Sequence, residues 1–569
     1  MQITTRLIRI GAQHIDRASI RQVLGFMVNT PRRTTFSIEQ RGFIRKPFIY
    51  LTIIVAVLLL ATACTIDLAN PPRLATATAR AAATVTPLPS PLILTAPTST
   101  PGPIDVPVAA ISDAGESDIA GGVVPQLTVW VNEVSPEHRQ IADEMATEFA
   151  ALSGVDVSIQ LVSPASLPQL VQTAVVSDTL PDIILHPIEY TAGWVERGIL
   201  DPAAAEAGVA QLGRETFDPA ALELASSGER LSAIPVDGYY QLILYRTDWF
   251  RERGLLVPDT FTAMQAAAAR INDREAVISG LIIPTESNLV TTHKAFEQMA
   301  LANNCQLIDQ AGEVTLLTPA CEQALRQYFS TINQYSPPGV QTDTSARRAY
   351  LEGRTGIIMT SPAILPDLAG LNPEAQPSCP TCNVGDDGLN SLAINTGILT
   401  TIRGNGINAQ PAAFGNIRNM GITTVADREV AQAFIDYWFT EGYEKWLSVD
   451  SERKVPMRLG SEESSRQFVD EWGKKPLGSH GFSLVDIYGE ETVGRLRDGI
   501  ADAPRWGIRE GHGSLVTDLY EELTFSIVLQ EMLSGYFNPE TTLREAYRRV
   551  IDLIPNYAFP VTIEQETSP

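Results

Sequence analysis

The sequence predicts an α/β protein built on a parallel sheet. Three observations carry this: short β-rich runs alternate with helical periodicities from residue 127 onward, each helix begins at a capping residue, and glycines close several of them. Leu127 to Val131 reads as a strand. Ser135 followed by Pro136 opens a helix, in which Ile141, Met145, Phe149 and Leu152 recur on one face until Gly154 ends it. Val155, Val157, Ile159 and Leu161 alternate with polar residues as a half-buried strand does. A helix through Leu167, Leu170, Val171, Ala174 and Val175 follows, then a strand at 181–185. Strand-helix-strand-helix-strand favours parallel pairing through right-handed crossovers.

The same grammar continues. Leu242 to Tyr245 is a strand, Thr247 caps a short helix ending at Gly254, and Asp259 or Thr260 caps another reaching Ile271. Arg347 to Leu351 is helical and leads into a strand at 356–359. A long aromatic-rich helix is expected over 428–447, and amphipathic helices over 515–533 and 541–553.

The first 125 residues read differently. Phe48 to Leu60 is a run of thirteen uncharged residues preceded by Arg41, Arg45 and Lys46, too short for a comfortable membrane span and right for a signal-peptide core. Ala61-Thr62-Ala63-Cys64 follows at once. It reads either as an ordinary Ala-x-Ala cleavage signal or, by resemblance to bacterial lipoboxes, as a lipidation site at Cys64; Ala61 stands where lipoboxes usually carry Leu. Both readings make 1–63 a signal peptide and place the mature protein outside the cytoplasm, with lipid anchoring in the second. Pro, Thr and Ala then make up 30 of the 61 residues from 65 to 125, a composition that cannot bury a core and reads as a disordered linker. As a loose coil it would reach about 40 Å. Residues 126–569 form the globular part.

Without residues 1–63 the chain keeps 33 basic and 64 acidic residues, which excludes unaided binding to a nucleic-acid backbone. Cys305, Cys321, Cys379 and Cys382 remain after Cys64. An even number in an exported chain suggests disulfides; local 305–321 and 379–382 bridges are the simplest of three connectivities, and a four-thiolate zinc site is the rival. No G-x-S-x-G elbow, H-E-x-x-H helix or P-loop occurs. A glycosidase needs only two carboxylates, so that enzyme class stays open as an alternative, as does a binding protein used for sensing alone.

Nine segments, in order, resemble the extracellular solute-binding proteins of ABC importers, in the carbohydrate-binding class that includes maltose- and multiple-sugar-binding receptors. They are Leu127–Val131, Thr179–Leu185, Trp194–Pro202, Ile234–Phe250, Arg253–Phe261, Asn304–Ala320 (a hairpin in the family), Tyr350–Pro362, Glu429–Trp438 and Lys454–Arg458. The resemblance implies a two-lobed periplasmic-binding-protein-like fold with a central ligand cleft. It implies closure around a small solute, most naturally a sugar, and delivery to a membrane permease, without catalysis and without cofactor or metal. Crossings between lobes are expected near 237–242, 415–420 and 448–455. Lobe one would comprise about 126–237 and 419–448, and lobe two about 243–414 and 455–569.

Ligands of α/β sheets sit beyond the carboxyl ends of strands, and sugars need aromatic faces and bidentate polar groups. The candidates are therefore Trp130 and Glu133 after the first strand, Glu189 after the 181–185 strand, and Asp237, Tyr239 and Tyr240 at the first crossing. Ser361 is added in the family's S-G-P turn, Arg418 and Asn419 before a strand at 421–422, and Trp506 from lobe two. Two departures from the family stand out. Ala363-Ile364 replaces the usual aromatic after Ser361-Pro362, and N-I-R-N-M replaces a glycine-rich stretch at 416–420. Tyr239 and Tyr240 imitate an iron-binding pair, but neighbours in a strand face opposite ways.

Overall fold

The structure is a computed structural model that describes residues 125–228, 230–406, 408–477 and 481–561. The expected signal peptide, Cys64 and the linker through residue 124 lie outside the described residues.

Strand β1 (Gln126–Val131) lies in the middle of three parallel strands, paired with β2 (Asp156–Leu161) and β3 (Ile183–Pro187). Helix α1 (Pro136–Ser153) connects β1 to β2. Its N-cap Ser135 accepts from His138 N–H, and Gly154, at φ 73°, closes it in the left-handed region. Helix α2 (Leu167–Ser177) connects β2 to β3 and turns Leu167, Val171 and Ala174 inward. After β3 comes one 3₁₀ turn, Ile188–Tyr190, and then α3 (Thr191–Glu196). The sheet is completed by β4 (Ile234–Tyr240), β8 (Gly415–Ile422) and β9 (Val455–Pro456), in the order β9-β4-β8-β3-β1-β2, with β8 antiparallel to both its neighbours.

A second sheet has β5 (Leu242–Arg246) between β6 (Ile357–Thr360) and β7 (Thr396–Leu399), both antiparallel to it. Only Gln241 separates β4 from β5, so one extended segment runs from the first sheet into the second. Gln241 N–H donates to Phe414 O, just before β8, which binds the outgoing and returning segments to each other.

Two-residue periodicity builds the core of the first lobe. Val129, Ile183 and Leu185 face α1 and the aromatic helix α5 (Arg428–Phe439), while Ile184 faces α2 and α3. The second lobe buries Phe261, Phe296, Tyr328, Trp506 and Phe525 together, against α4 (Thr291–Ala302) and α8 (Thr524–Leu533).

Several expectations are corrected. The helix expected over 428–447 is two, α5 and α6 (Tyr443–Ser448), broken at Thr440–Gly442, where Gly442 admits the Met145 side chain into space its own Cβ would need. The helix expected over 515–533 divides into α7 (Gly513–Glu521) and α8 at Leu523, whose φ is 53°. The 304–320 hairpin reduces to one bridge, Ile308 with Val314, closed by a Cys305–Cys321 disulfide; Cys379 and Cys382 form the second disulfide. Asn416, Arg418 and Asn419 lie within β8 rather than before a strand.

At the third expected crossing, Val455 and Pro456 pair with Gly238 and Asp237, residues at the first one. Helix α7, grouped by sequence with lobe two, packs on α3 of lobe one. Val516 and Tyr520 complete the apolar face over Trp194, and the side chain of Thr517 fills the space beside Gly193. No described helix is long and apolar enough to cross a membrane.

Candidate functional site in the interlobe cleft

The carboxyl ends of β1 and β3, the end of β4 and the start of β8 lie together where the chain passes between the sheets. Two buried charged clusters gather there, one reaching Asn416 and the other Arg418 of β8.

The first joins the lobes. Glu189, in the turn after β3, is 2 % exposed. Its Oε1 lies 2.8 Å from Nζ of Lys294, on the first turn of α4 in the second lobe. Lys294 also donates to Oδ1 of Asn416 on β8, at 2.8 Å. Arg505 approaches Glu189 Oε2 at 3.7 Å, donates from Nε to Glu297 Oε1 and from Nη1 to Gly415 O. Burial opposes charge on Glu189, but Lys294 and then Arg505 outweigh it and hold its carboxyl below the usual range. Burial wins at Glu297, whose carboxyl is pushed up despite Arg505. Glu189 Oε2, 3.7 Å from Arg505, has no hydrogen-bond partner, so one buried acceptor position remains unsatisfied. A separate cavity of about 220 Å³, lined by Ile188, Thr191, Ser232, Arg509 and Gly511 among others, does not include Glu189 or its charged partners.

The second cluster is closed. Arg418 Nε and Nη2 grip Asp237 at 2.7 and 2.8 Å, and its Nη1 donates to Glu133. Arg453 holds the other Glu133 oxygen at 3.1 Å, and Trp446 Nε1 donates to Asp237 at 3.0 Å. Lys454 Nζ donates to Trp446 O and stands 3.7 Å above the indole centroid. Burial and then the neighbouring Arg418 push the Lys454 amine down to about 7. Burial, followed by the neighbouring Asp450, pushes the Glu452 carboxyl up to about 7. Glu133, His138 and Asp450 offer atoms within 4.8 Å of one another. Arg418 and Arg453 already occupy both Glu133 oxygens, so the triad fits a neutralised ion network better than a cation site.

The sequence candidates thus separate. Glu133, Asp237 and Arg418 meet in the closed cluster, and Glu189 in the open one. Tyr239 is half-buried opposite Asn416. Tyr240 turns the other way, into the core, and its hydroxyl donates to Asp498 O. Asn419 donates to Thr191 and leaves its Oδ1 unpartnered. Ser361 starts the half-buried turn after β6. Trp130, near the end of β1, packs against the apolar cluster that contains Trp194. Trp506 is a core residue: it is 1 % exposed, its ring lies against Phe296 and Phe525, and its Nε1 donates to Cys305 O. Sequence reasoning missed Lys294, Glu297 and Arg505. Lys294 and Glu297 belong to an ordinary amphipathic helix, and Arg505 carries no motif, so only the fold singles them out.

Comparisons with known proteins agree with this geometry. The profile of the bacterial extracellular solute-binding protein family matches residues 144–476. YcjN of Escherichia coli (strain K12), which carries the name of a candidate ABC transporter periplasmic-binding protein, is 24 % identical over 238 residues. That stretch covers 41 % of this chain and 55 % of YcjN, so the match spans about half the length of that relative. Among solved structures, a solute-binding protein from Thermotoga lettingae bound to α-D-tagatose superposes with a TM-score of 0.58 at 18 % identity. It covers 75 % of this chain and 99 % of its own. Maltose-bound MalE3 of T. maritima gives 0.56 at 15 %, covering 76 % and 100 %. A sugar transporter protein from Arthrobacter chlorophenolicus with laminaribiose gives 0.57 at 14 %, covering 76 % and 100 %. At these identities the structures speak for the two-lobed fold. With more than half of its length matched by a family of substrate-binding rather than catalytic proteins, the chain belongs to the bacterial extracellular solute-binding proteins.

Proposed function

We propose that this protein captures a small neutral polyhydroxylated solute, a sugar or sugar alcohol, in the interlobe cleft and delivers it to an ABC-transporter permease without chemical turnover. The observation that carries this reading is the meeting of Glu189 and Lys294 from opposite lobes beside Asn416, with Glu189 Oε2 left without a hydrogen bond. Carboxylate, ammonium and amide together supply the donors and acceptors that a run of hydroxyls demands, and they sit where closure brings the lobes together. Tyr239 offers the half-buried ring against which a sugar face would stack. The maltose, tagatose and laminaribiose found in structural neighbours support the same solute class. Export follows from the apolar run at 48–60, and Cys64 is the proposed lipid anchor.

A thermal-shift screen of the purified protein against mono- and disaccharides and sugar alcohols, with amino acids and polyamines as controls, tests the reading. A true ligand adds about 2.7 kcal/mol of apparent stability at a hundredfold excess over its dissociation constant. A shift confined to amino acids or polyamines overturns the solute class. Release of reducing ends from the bound saccharide overturns the non-catalytic assignment.

A further inference from the structure

The disulfide Cys379–Cys382 closes a four-residue turn, Cys-Pro-Thr-Cys, that plays no part in the cleft. It differs from the other bridge in every property that governs exchange. Cys305 and Cys321 are 1 % and 0 % exposed, under Trp506. Cys382 is only half-buried and stands between exposed Thr381 and Asn383. Loop-closure statistics make the 16-residue separation of the buried bridge constrain the unfolded chain on the order of tenfold more than the 3-residue separation here. Opening the short bridge therefore costs the fold less.

The two cysteines of the turn are also unequal. Cys379 is 4 % exposed, is held through its N–H by Leu351 O, and packs against Gly353, where a Cβ would come within 2.7 Å of its own. Its sulfur lies 3.9 Å from the Thr381 hydroxyl. That hydroxyl accepts from Nη2 of Arg246 at 2.9 Å; Arg246 is 1 % exposed, pairs through Nε and Nη2 with Asp248 at 2.9 and 2.6 Å, and leaves its Nη1 without a partner. The Arg246–Asp248 pair at the end of a buried strand thus orients one hydroxyl beside one sulfur, where it can donate to a thiolate.

We propose that Cys379–Cys382 is a thiol–disulfide exchange site for an extracytoplasmic dithiol, with Cys382 as the sulfur attacked and Cys379 as the leaving group. A thiolate of the dithiol forms a bond to Cys382 Sγ, the Cys379–Cys382 bond breaks, and its electron pair leaves on Cys379. The Thr381 hydroxyl, polarised by Arg246, donates to that thiolate. The second thiolate of the dithiol then attacks its own sulfur in the mixed disulfide and releases Cys382. The dithiol ends as a disulfide and the turn as two thiols, a two-electron exchange with no other reactant. Thr381 and Arg246 are positioning residues in this scheme.

The test treats the native full chain with dithiothreitol, traps thiols by alkylation over time and maps the labelled peptides. Cys379 and Cys382 should appear at least tenfold faster than Cys305 and Cys321. Thr381→Val should slow their appearance several-fold and Thr381→Ser should restore it. The Cys305–Cys321 rate in the same sample reports whether the variant is still folded. In a Cys382→Ser chain, Thr381→Val should move the alkylation profile of Cys379 to higher pH. In a Cys379→Ser chain, Cys382 should form a mixed disulfide with glutathione. Equal opening of both bridges, earlier opening of Cys305–Cys321, or an unchanged Cys379 profile in the Thr381→Val background overturns the proposal.

Discussion

The two charged clusters beside β8 contain similar residues and do different work. Around Arg418 the central carboxylates are paired: Asp237 binds it through two oxygens, and Glu133 is shared with Arg453. Around Glu189, Lys294 and Arg505 balance the charge, yet one carboxylate oxygen is left without a hydrogen bond. The contrast teaches how to tell a structural ion network from a binding one. Satisfied buried charges fix geometry, and an incompletely satisfied one between two lobes has capacity left for a partner.

The sharpest way to break the comparison is to empty the closed cluster. Arg418→Met leaves Asp237 and one Glu133 oxygen buried without their cation. We expect a loss of about 3–5 kcal/mol, read from the urea midpoint. A loss below about 1 kcal/mol would mean that the network is dispensable and the distinction empty.

Next in size is a pH effect. Glu452 has its carboxyl raised from 4.5 to about 7, chiefly by burial. Between those values the folded protein keeps the proton that the unfolded chain has lost. Its stabilising contribution is therefore complete below pH 4.5 and lost as pH rises through about 7. Glu452→Gln cannot titrate, so the stability difference between the original protein and this variant should fall by on the order of 3 kcal/mol from pH 4 to pH 8. A constant difference would remove Glu452 from the list of buried titrating groups.

Glu189→Gln probes the open cluster. The amide keeps the shape, and Arg505 retains Glu297, so we expect a stability loss of only about 1–2 kcal/mol. The thermal shift given by the sugar that binds the original protein should shrink or vanish. Unchanged binding with a large stability loss would reverse the roles assigned to the two clusters.

Much of the first lobe is legible in sequence because its strands alternate and its helices carry their own caps: Ser135, Pro136 and Gly154 frame α1 within a residue of the expected ends. The site is only partly legible. Glu133 is suspect because it follows a strand, but its partners Arg418 and Arg453 stand some 300 residues away. Trp506 shows the converse failure. An aromatic residue in an irregular segment looks available for stacking, and nothing local reveals that Phe296 and Phe525 enclose it. The break at Leu523 was equally hidden, because 515–533 keeps its apolar period on both sides of one left-handed residue.

The smallest predicted effect separates two adjacent tyrosines. Tyr240 donates its hydroxyl to Asp498 O at 2.8 Å from within the core, so Tyr240→Phe deletes one buried hydrogen bond and should cost about 1 kcal/mol in urea unfolding. Tyr239 faces the opposite side of β4, half-buried opposite Asn416, and its hydroxyl makes no hydrogen bond among the described residues. Tyr239→Phe should leave stability within about 0.5 kcal/mol. A sugar that stacks on the ring would keep most of its affinity in Tyr239→Phe and lose it in Tyr239→Ala. If Tyr240→Phe, and not the Tyr239 variants, weakened binding, the cleft would have to be entered from the face of β4 that now packs against Asp498. The open cluster at Glu189 would then be another closed one.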